Sequence, residues 1–366
     1  MMWSLRKAAR AASTVLALGS AAFWSGSAHA AAPYPDSSYI TGVTWDQSTH
    51  QFNGLGADLW PTTAGADGKV YTAFGDGVAT CPAYVSYGVA AVAGGPSARL
   101  QRASCGPLSW GHGKIASLLD VAGTLYAIVY LQNRPVNADL AIWSSSNHGQ
   151  TWRKASWVFP GNNTSIPLPT AFVNFGQGYK GARDGFVYLL AIKDGDLPKA
   201  VYLMRAPKGS LLNKTSYEYF AGTASTPSWS TLVGAAKPIF VDPAGTQSPR
   251  MNYDAALGRY LLTTAHGSSA ARSGTSGGKL GLFESQEPWG SWRTVEYEER
   301  WLGINGGIFL GVSFPSPWMA DSGKTLWGVF SCWSHTTKSS HSDACGAYDD
   351  RYNVLRATLK VSPAGR

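Results

Sequence analysis

Charge is scarce in this chain: only 14% of its 366 residues are Asp, Glu, Lys or Arg. A disordered chain would be richer in charge and poorer in aromatic side chains. Long apolar runs are missing beyond the first thirty residues, so nothing there reads as a membrane helix. There is no run of five basic residues, which argues against a nucleic-acid footprint. Cysteine is limited to Cys81, Cys105, Cys332 and Cys345, with no CxxC pair. No HExxH segment announces a metalloprotease, and no Gly-x-Ser-x-Gly lies between a strand and a helix. Helical stripes with capping signals are also wanting. What the chain has in quantity is 42 Gly, 20 Pro, 15 Trp and 17 Tyr. Gly and Pro at this density punctuate many short strands.

The N-terminus reads as a secretory signal peptide over residues 1–30. Arg6, Lys7 and Arg10 precede an apolar stretch from Ala11 to about Phe23, and Ala28-His29-Ala30 supplies the small-residue cleavage site. Residues 31–366 then form the mature domain, with about 40–360 ordered. The signal holds three of the cations and no anion, so a net charge of +8 falls to +5. A secreted or periplasmic location favours two disulfides; Cys81–Cys105 with Cys332–Cys345 is the local pairing among three arrangements.

A turn followed by an apolar strand recurs five times. The copies run Ala66–Phe74, Val121–Val129, Arg183–Leu190, Ala256–Leu262 and Asp321–Val329. Their aromatic residues fall at Tyr71, Tyr126, Tyr188, Tyr260 and Trp327, with gaps of 55, 62, 72 and 67 residues. Further strands follow at 141–144, 201–204, 280–283 and 354–357. This spacing predicts an all-β, five-bladed β-propeller in a single domain. A jelly roll would not explain five similar units. Asp67, Asp184 and Asp321 occupy the repeated turn and read as structural. Ser145-Ser146-Asn147-His148-Gly149-Gln150-Thr151-Trp152 resembles the Asp-box of sialidase-like propellers, with Asn147 in the Asp place.

Several segments resemble one family together: Gly56-Ala57-Asp58-Leu59-Trp60-Pro61, Phe74-Gly75-Asp76-Gly77, Leu257–Leu262, Gln286–Trp292 and Asn353–Ala357. They are similar to secreted bacterial five-bladed propellers, long an uncharacterised-domain family, which include endo-D-arabinanases. The resemblance implies a glycoside hydrolase acting on a polysaccharide or oligosaccharide.

Glycoside hydrolysis needs two carboxylates across the scissile bond. Asp58 and Asp76 are the expected pair, both inside the matching segments and Asp76 flanked by glycines that admit a ligand. Expected substrate-binding residues are His112, Lys114, Arg183, Arg250, Tyr253, Asp254, Trp60 and Trp110. Asp254 also suits an Asx-turn, and Glu284 ends a strand that could face the axis. Trp289, Trp301 and Trp333 are further aromatic candidates. His112, Lys114, Arg183 and Arg250 together would make a cationic centre, which suits a lyase acting on uronates by Arg–carboxylate pairing. The alternatives are therefore that lyase and a non-catalytic carbohydrate-binding propeller. No cofactor and no metal are expected, although calcium on loop carbonyls stays open without an Asp-rich loop to hold it. Neither nucleic acid nor a membrane is an expected partner, and the protein should be a monomer.

Overall fold

The computed structural model describes residues 31–363 apart from 55, 107–112, 132–137, 162, 164, 194–199, 268–277, 305–306 and 334–344. Strands joined by turns and short 3₁₀ segments make up the described residues, with no α-helix among them. A long first strand, β1 (Ile40–Asn53), precedes four groups of antiparallel strands. The first group is β2 (Asp58–Ala64), β3 (Val70–Gly77), β4 (Val85–Val92) and β5 (Leu100–Cys105). The second is β6 (Lys114–Val121), β7 (Thr124–Tyr130), β8 (Leu140–Ser145) and β9 (Arg153–Lys154). The third holds β10 (Pro167–Asn174), β11 (Phe186–Lys193), β12 (Ala200–Pro207), β13 (Glu218–Phe220) and β14 (Trp229–Ser230), with β15 (Pro238–Val241) on β12. The fourth is β16 (Thr246–Asp254), β17 (Arg259–His266), β18 (Leu280–Ser285) and β19 (Arg293–Glu298).

The C-terminal strands are β20 (Ile308–Phe309), β21 (Thr325–Phe330), β22 (Cys332–Trp333) and β23 (Tyr352–Val361). Here β1 pairs with β23, which pairs with β21, so the two ends of the described chain share one sheet. The segment after β20 continues along β21 through the Ser313–Val329 bridge.

Each repeated aromatic lies on the second strand of its group: Tyr71 on β3, Tyr126 on β7, Tyr188 on β11, Tyr260 on β17 and Trp327 on β21. The preceding turns are tight for a local reason. Ala122 and Gly123 both have positive φ (51° and 89°), the geometry of a two-residue hairpin that follows strand twist. The turn Asp then accepts from the aromatic four residues on, Tyr71 Oη to Asp67 at 2.9 Å and Tyr188 Oη to Asp184 at 2.6 Å. Every residue of β4 and of β17 is buried, as expected for strands covered on both faces. Trp60, Phe74 and Tyr352 pack together between the first group and the last, with ring centroids 5.2 Å apart in both contacts of Trp60.

The first strands of the groups run in the same direction. β10 and β16 pair in parallel at Val173–Met251 and Asn174–Asn252. At their far ends, Asp120 N–H donates to Thr63 Oγ1 (2.9 Å), and Ala122 N–H donates to Gly178 O (3.1 Å). So the starts of β2, β6, β10 and β16 gather at one end and their turns at the other. Both expected disulfides are present, Cys81–Cys105 and Cys332–Cys345. Two such bonds indicate a non-cytoplasmic protein. Among the described residues no helix is long and apolar enough to cross a membrane.

Candidate active site

Asp58 is the first residue of β2 and sits opposite Gly75 on β3, so Asp76 follows as its diagonal neighbour. The local chain is bent to allow this. Leu59, Trp60 and Asp76 all have positive φ (77°, 55° and 47°), and the β2–β3 register slips between Leu59 and Thr62. Gly75 is needed for room: a Cβ there would stand 3.2 Å from Asp58 Oδ1 and 3.4 Å from the Lys114 side chain. Gly77 is tighter still, since its Cβ would fall 1.8 Å from Gly56 O.

Lys114 opens β6 at the same end and joins the two carboxylates. Its Nζ lies 3.4 Å from Asp58 Oδ2 and also contacts Asp76 Oδ2. The remaining oxygens, Asp58 Oδ1 and Asp76 Oδ1, are buried with no hydrogen-bond partner among the described residues. Burial pushes the Asp58 carboxyl up to about 6, with Lys114 opposing and the Asp76 charge reinforcing the rise. Burial alone would lower the Lys114 pKa, but Asp58 and Asp76 outweigh it and hold the ammonium above its ordinary range.

The structure adds Asp350 and Tyr84, neither of which the sequence reading singled out. Burial, then the charges of Asp58 and Asp349, push the Asp350 carboxyl up to about 7. The Tyr84 phenol is raised by burial and by Asp76, Asp58 and Asp350. Asp350 is held by its backbone. Its carbonyl accepts from Gly56 and Ala57 N–H (2.9 and 3.2 Å), and its N–H donates to Cys332 O (2.9 Å). Its only signal in the sequence was the lone Asp-Asp pair, Asp349-Asp350, just ahead of the closing strand. Among the described residues no three His, Cys, Asp or Glu side chains lie close enough to hold a metal.

The other expected site residues disperse. Arg183 lies in the β10–β11 connection at the far end, paired with Glu287 and Asp184 and stacked 4.6 Å over Trp289. Arg250 is buried in the middle of β16 and, among the described residues, donates to the backbone carbonyls of Pro249, Ala116 and Leu310. The cationic centre therefore does not assemble; Lys114 alone of those described reaches the carboxylates. Tyr253 and Asp254 end β16 and line a cavity of about 280 Å³ at the far end. Asp254 Oδ1 accepts from Ala256 and Leu257 N–H at 3.0 and 3.1 Å, an Asx-turn. Trp60 is 1% exposed and donates to Ala57 O at 3.0 Å, so it packs the core instead of facing a sugar. Trp301 and Trp289 are buried too, whereas Trp333 is 36% exposed at the carboxylate end. Glu284 pairs with Arg259 (2.9 Å) and Ser37 away from the axis. His112 and Trp110 lie outside the described residues.

With that geometry in hand, comparison with known proteins adds a family. The domain of unknown function DUF4185 matches residues 121–357, well over half of the chain. The chain belongs to the DUF4185 family. As a DUF4185 protein it has no match among curated proteins. Solved structures similar to it include a candidate hydrolase from Bacteroides ovatus ATCC 8483, at 13% identity and TM-score 0.51, covering 84% of this chain and 87% of that one. A GH43_1 enzyme from Xanthomonas citri follows at 11% identity and TM-score 0.48, over 87% and 92%. A subtype N11 neuraminidase-like protein of A/flat-faced bat/Peru/033/2010 (H18N11) has 10% identity and TM-score 0.43, over 91% and 96%. At such identity the first similarity shows a shared fold alone, and the other two carry no argument about this DUF4185 chain.

Proposed function

We propose that this protein is a secreted glycoside hydrolase built as a five-bladed β-propeller, with Asp58 and Asp76 as its catalytic carboxylates. The observation that carries the reading is the half-buried Asp58–Lys114–Asp76 bridge at the common start of β2 and β6. Asp58, with its carboxyl near 6, holds the proton for the departing sugar oxygen. Asp76, in direct contact with the Lys114 ammonium, is the charged partner at the anomeric carbon. Carboxylates that share one ammonium are closer than the roughly 6.5–9.5 Å of inverting pairs, which favours retention of configuration.

The propeller reading rests on four strand groups with co-directional first strands and on β1 completing the last sheet. The signal at residues 1–30 and the two disulfides support export. A neutral glycan fits a carboxylate-rich site, and D-arabinan is the substrate the family resemblance implies. Arg183 and Arg250 stand apart from the pair, which weighs against the uronate lyase.

A panel of polysaccharides, arabinans included, scored for new reducing ends and for ultraviolet absorbance tests this. Reducing ends without absorbance are expected. Absorbance would mean elimination, and binding without either product would leave a lectin-like protein.

A further inference from the structure

Among the described residues the guanidinium of Arg250 is met by backbone carbonyls and pairs with no carboxylate, and the Tyr130 phenol is the titratable group that acts on it. Arg250 Nη2 donates to Ala116 O at 3.2 Å and Leu310 O at 3.3 Å, and Nη1 to Pro249 O at 3.2 Å. Those carbonyls belong to β6, to the segment after β20 and to β16 itself. Gly311 (φ 91°) leaves the space, since a Cβ there would stand 2.8 Å from Arg250 Cγ. A cation 8% exposed and without a carboxylate is costly unless its donors are used, and burial draws its pKa down to about 10.

Ala116 is no ordinary acceptor. On β6, Lys114 pairs with Tyr130 and Ile115 with Val129, but the next pair is Ser117 with Ile128. Ala116 is the extra residue of a β-bulge, left without a partner on β7. Strand side chains alternate between faces, so one added residue reverses the facing of everything before it. Lys114 lies just before the bulge. In regular register it would shift by one position and turn away from Asp58 and Asp76.

We propose that Arg250 is a positioning residue that fastens the Ala116 bulge, whose register delivers the Lys114 ammonium between Asp58 and Asp76. The consequence for turnover rests on the glycosidase reading; the register does not.

The test is the titration of the Asp58 carboxyl by carbon NMR in the folded full chain, without substrate. Asp58 is faced by Lys114 from β6, Asp76 from β3, Tyr84 ahead of β4 and Asp350 ahead of β23, and Lys114 is the one cation of that set. Lys114→Met is expected to raise the Asp58 midpoint by about one pH unit or more. Arg250→Met should shift it the same way by at least half as much, and the double variant no further than Lys114→Met alone. Should Arg250→Met not fold, Arg250→Lys carries the comparison, because its ammonium lacks the planar fork that spans two carbonyls. A measurable rise in that variant, smaller than that of Lys114→Met, supports the proposal. An unshifted Asp58 in the folded Arg250 variant, or additive shifts in the double variant, overturns it. An inactive polysaccharide panel with shifted titrations would sink only the function; an active panel with unshifted titrations would sink only this assignment.

Discussion

Asp58→Asn should cost the protein its turnover and strengthen its fold at neutral pH. Burial, opposed by Lys114 and reinforced by Asp76, holds the Asp58 carboxyl near 6, against 3.8 for an unperturbed aspartate. A folded pKa above the unfolded one means that Asp58 favours the fold fully below about pH 3.8. That contribution is lost as pH rises through 6. Two pH units at about 1.4 kcal/mol each give roughly 3 kcal/mol, an upper figure because the side chain keeps some contact with water. Asn keeps the shape and removes the charge, and Lys114 still has Asp76 as partner. The expected gain is therefore about 1–3 kcal/mol at pH 8 and close to none at pH 4, read from urea midpoints at unchanged slope. Turnover should fall about 10²–10⁴-fold, the usual share of a positioned acid or base. Lower stability at pH 8, or an equal change at both pH values, would refute the buried-charge argument. Retained turnover would refute the catalytic assignment.

Four further perturbations separate the site from its scaffold. Trp60→Ala should destabilise by about 3–5 kcal/mol in chemical denaturation. Trp333→Ala should leave stability within about 0.5 kcal/mol and raise KM about tenfold, as loss of one ring–sugar stack would. Gly75→Ala places a Cβ 3.2 Å from Asp58 Oδ1, so kcat should drop about tenfold or more while the melting temperature falls only a few degrees. Removing Cys332–Cys345, whose cysteines are 13 residues apart, should cost about 3 kcal/mol and also lower kcat, because Asp350 N–H is anchored on Cys332 O.

The second strand of each group was legible in the sequence, because a turn followed by an apolar strand with an aromatic near its start repeats in readable form, twice with an Asp four residues before the aromatic. The first strands were harder. β2, β6, β10 and β16 each carry a register shift, at Leu59/Thr62, Ile115/Ser117, Pro169/Ala171 and Gln247/Arg250. A bulge breaks the two-residue alternation by which a strand is recognised. Asp58 and Asp76 stood out because glycines flank them or lie nearby and the segments resemble a family. Asp350 did not, since its place depends on the last sheet meeting the first group, a contact that no local pattern encodes.

The cations were misplaced for a geometric reason. Lys114, Arg183 and Arg250 each precede a repeated strand in sequence, and the expectation treated them as equivalent. An eight-residue strand spans about 25 Å, so the end of the molecule a residue occupies depends on whether it precedes the first or the second strand of its group. Lys114 precedes β6 and reaches the carboxylates. Arg183 sits in the turn before β11 and lands at the opposite end. Arg250 falls inside β16 and points its charge into backbone. What this leaves around the Lys114 ammonium, among the described residues, is Asp58, Asp76 and Asp350, with Asp349 beside Asp350. That balance disfavours an anionic glycan and raises the Asp58 and Asp350 carboxyls to about 6 and about 7, the condition under which one carboxyl of a pair serves as acid. The same strand geometry that scattered the expected cationic centre therefore argues for acid-assisted hydrolysis of a neutral sugar.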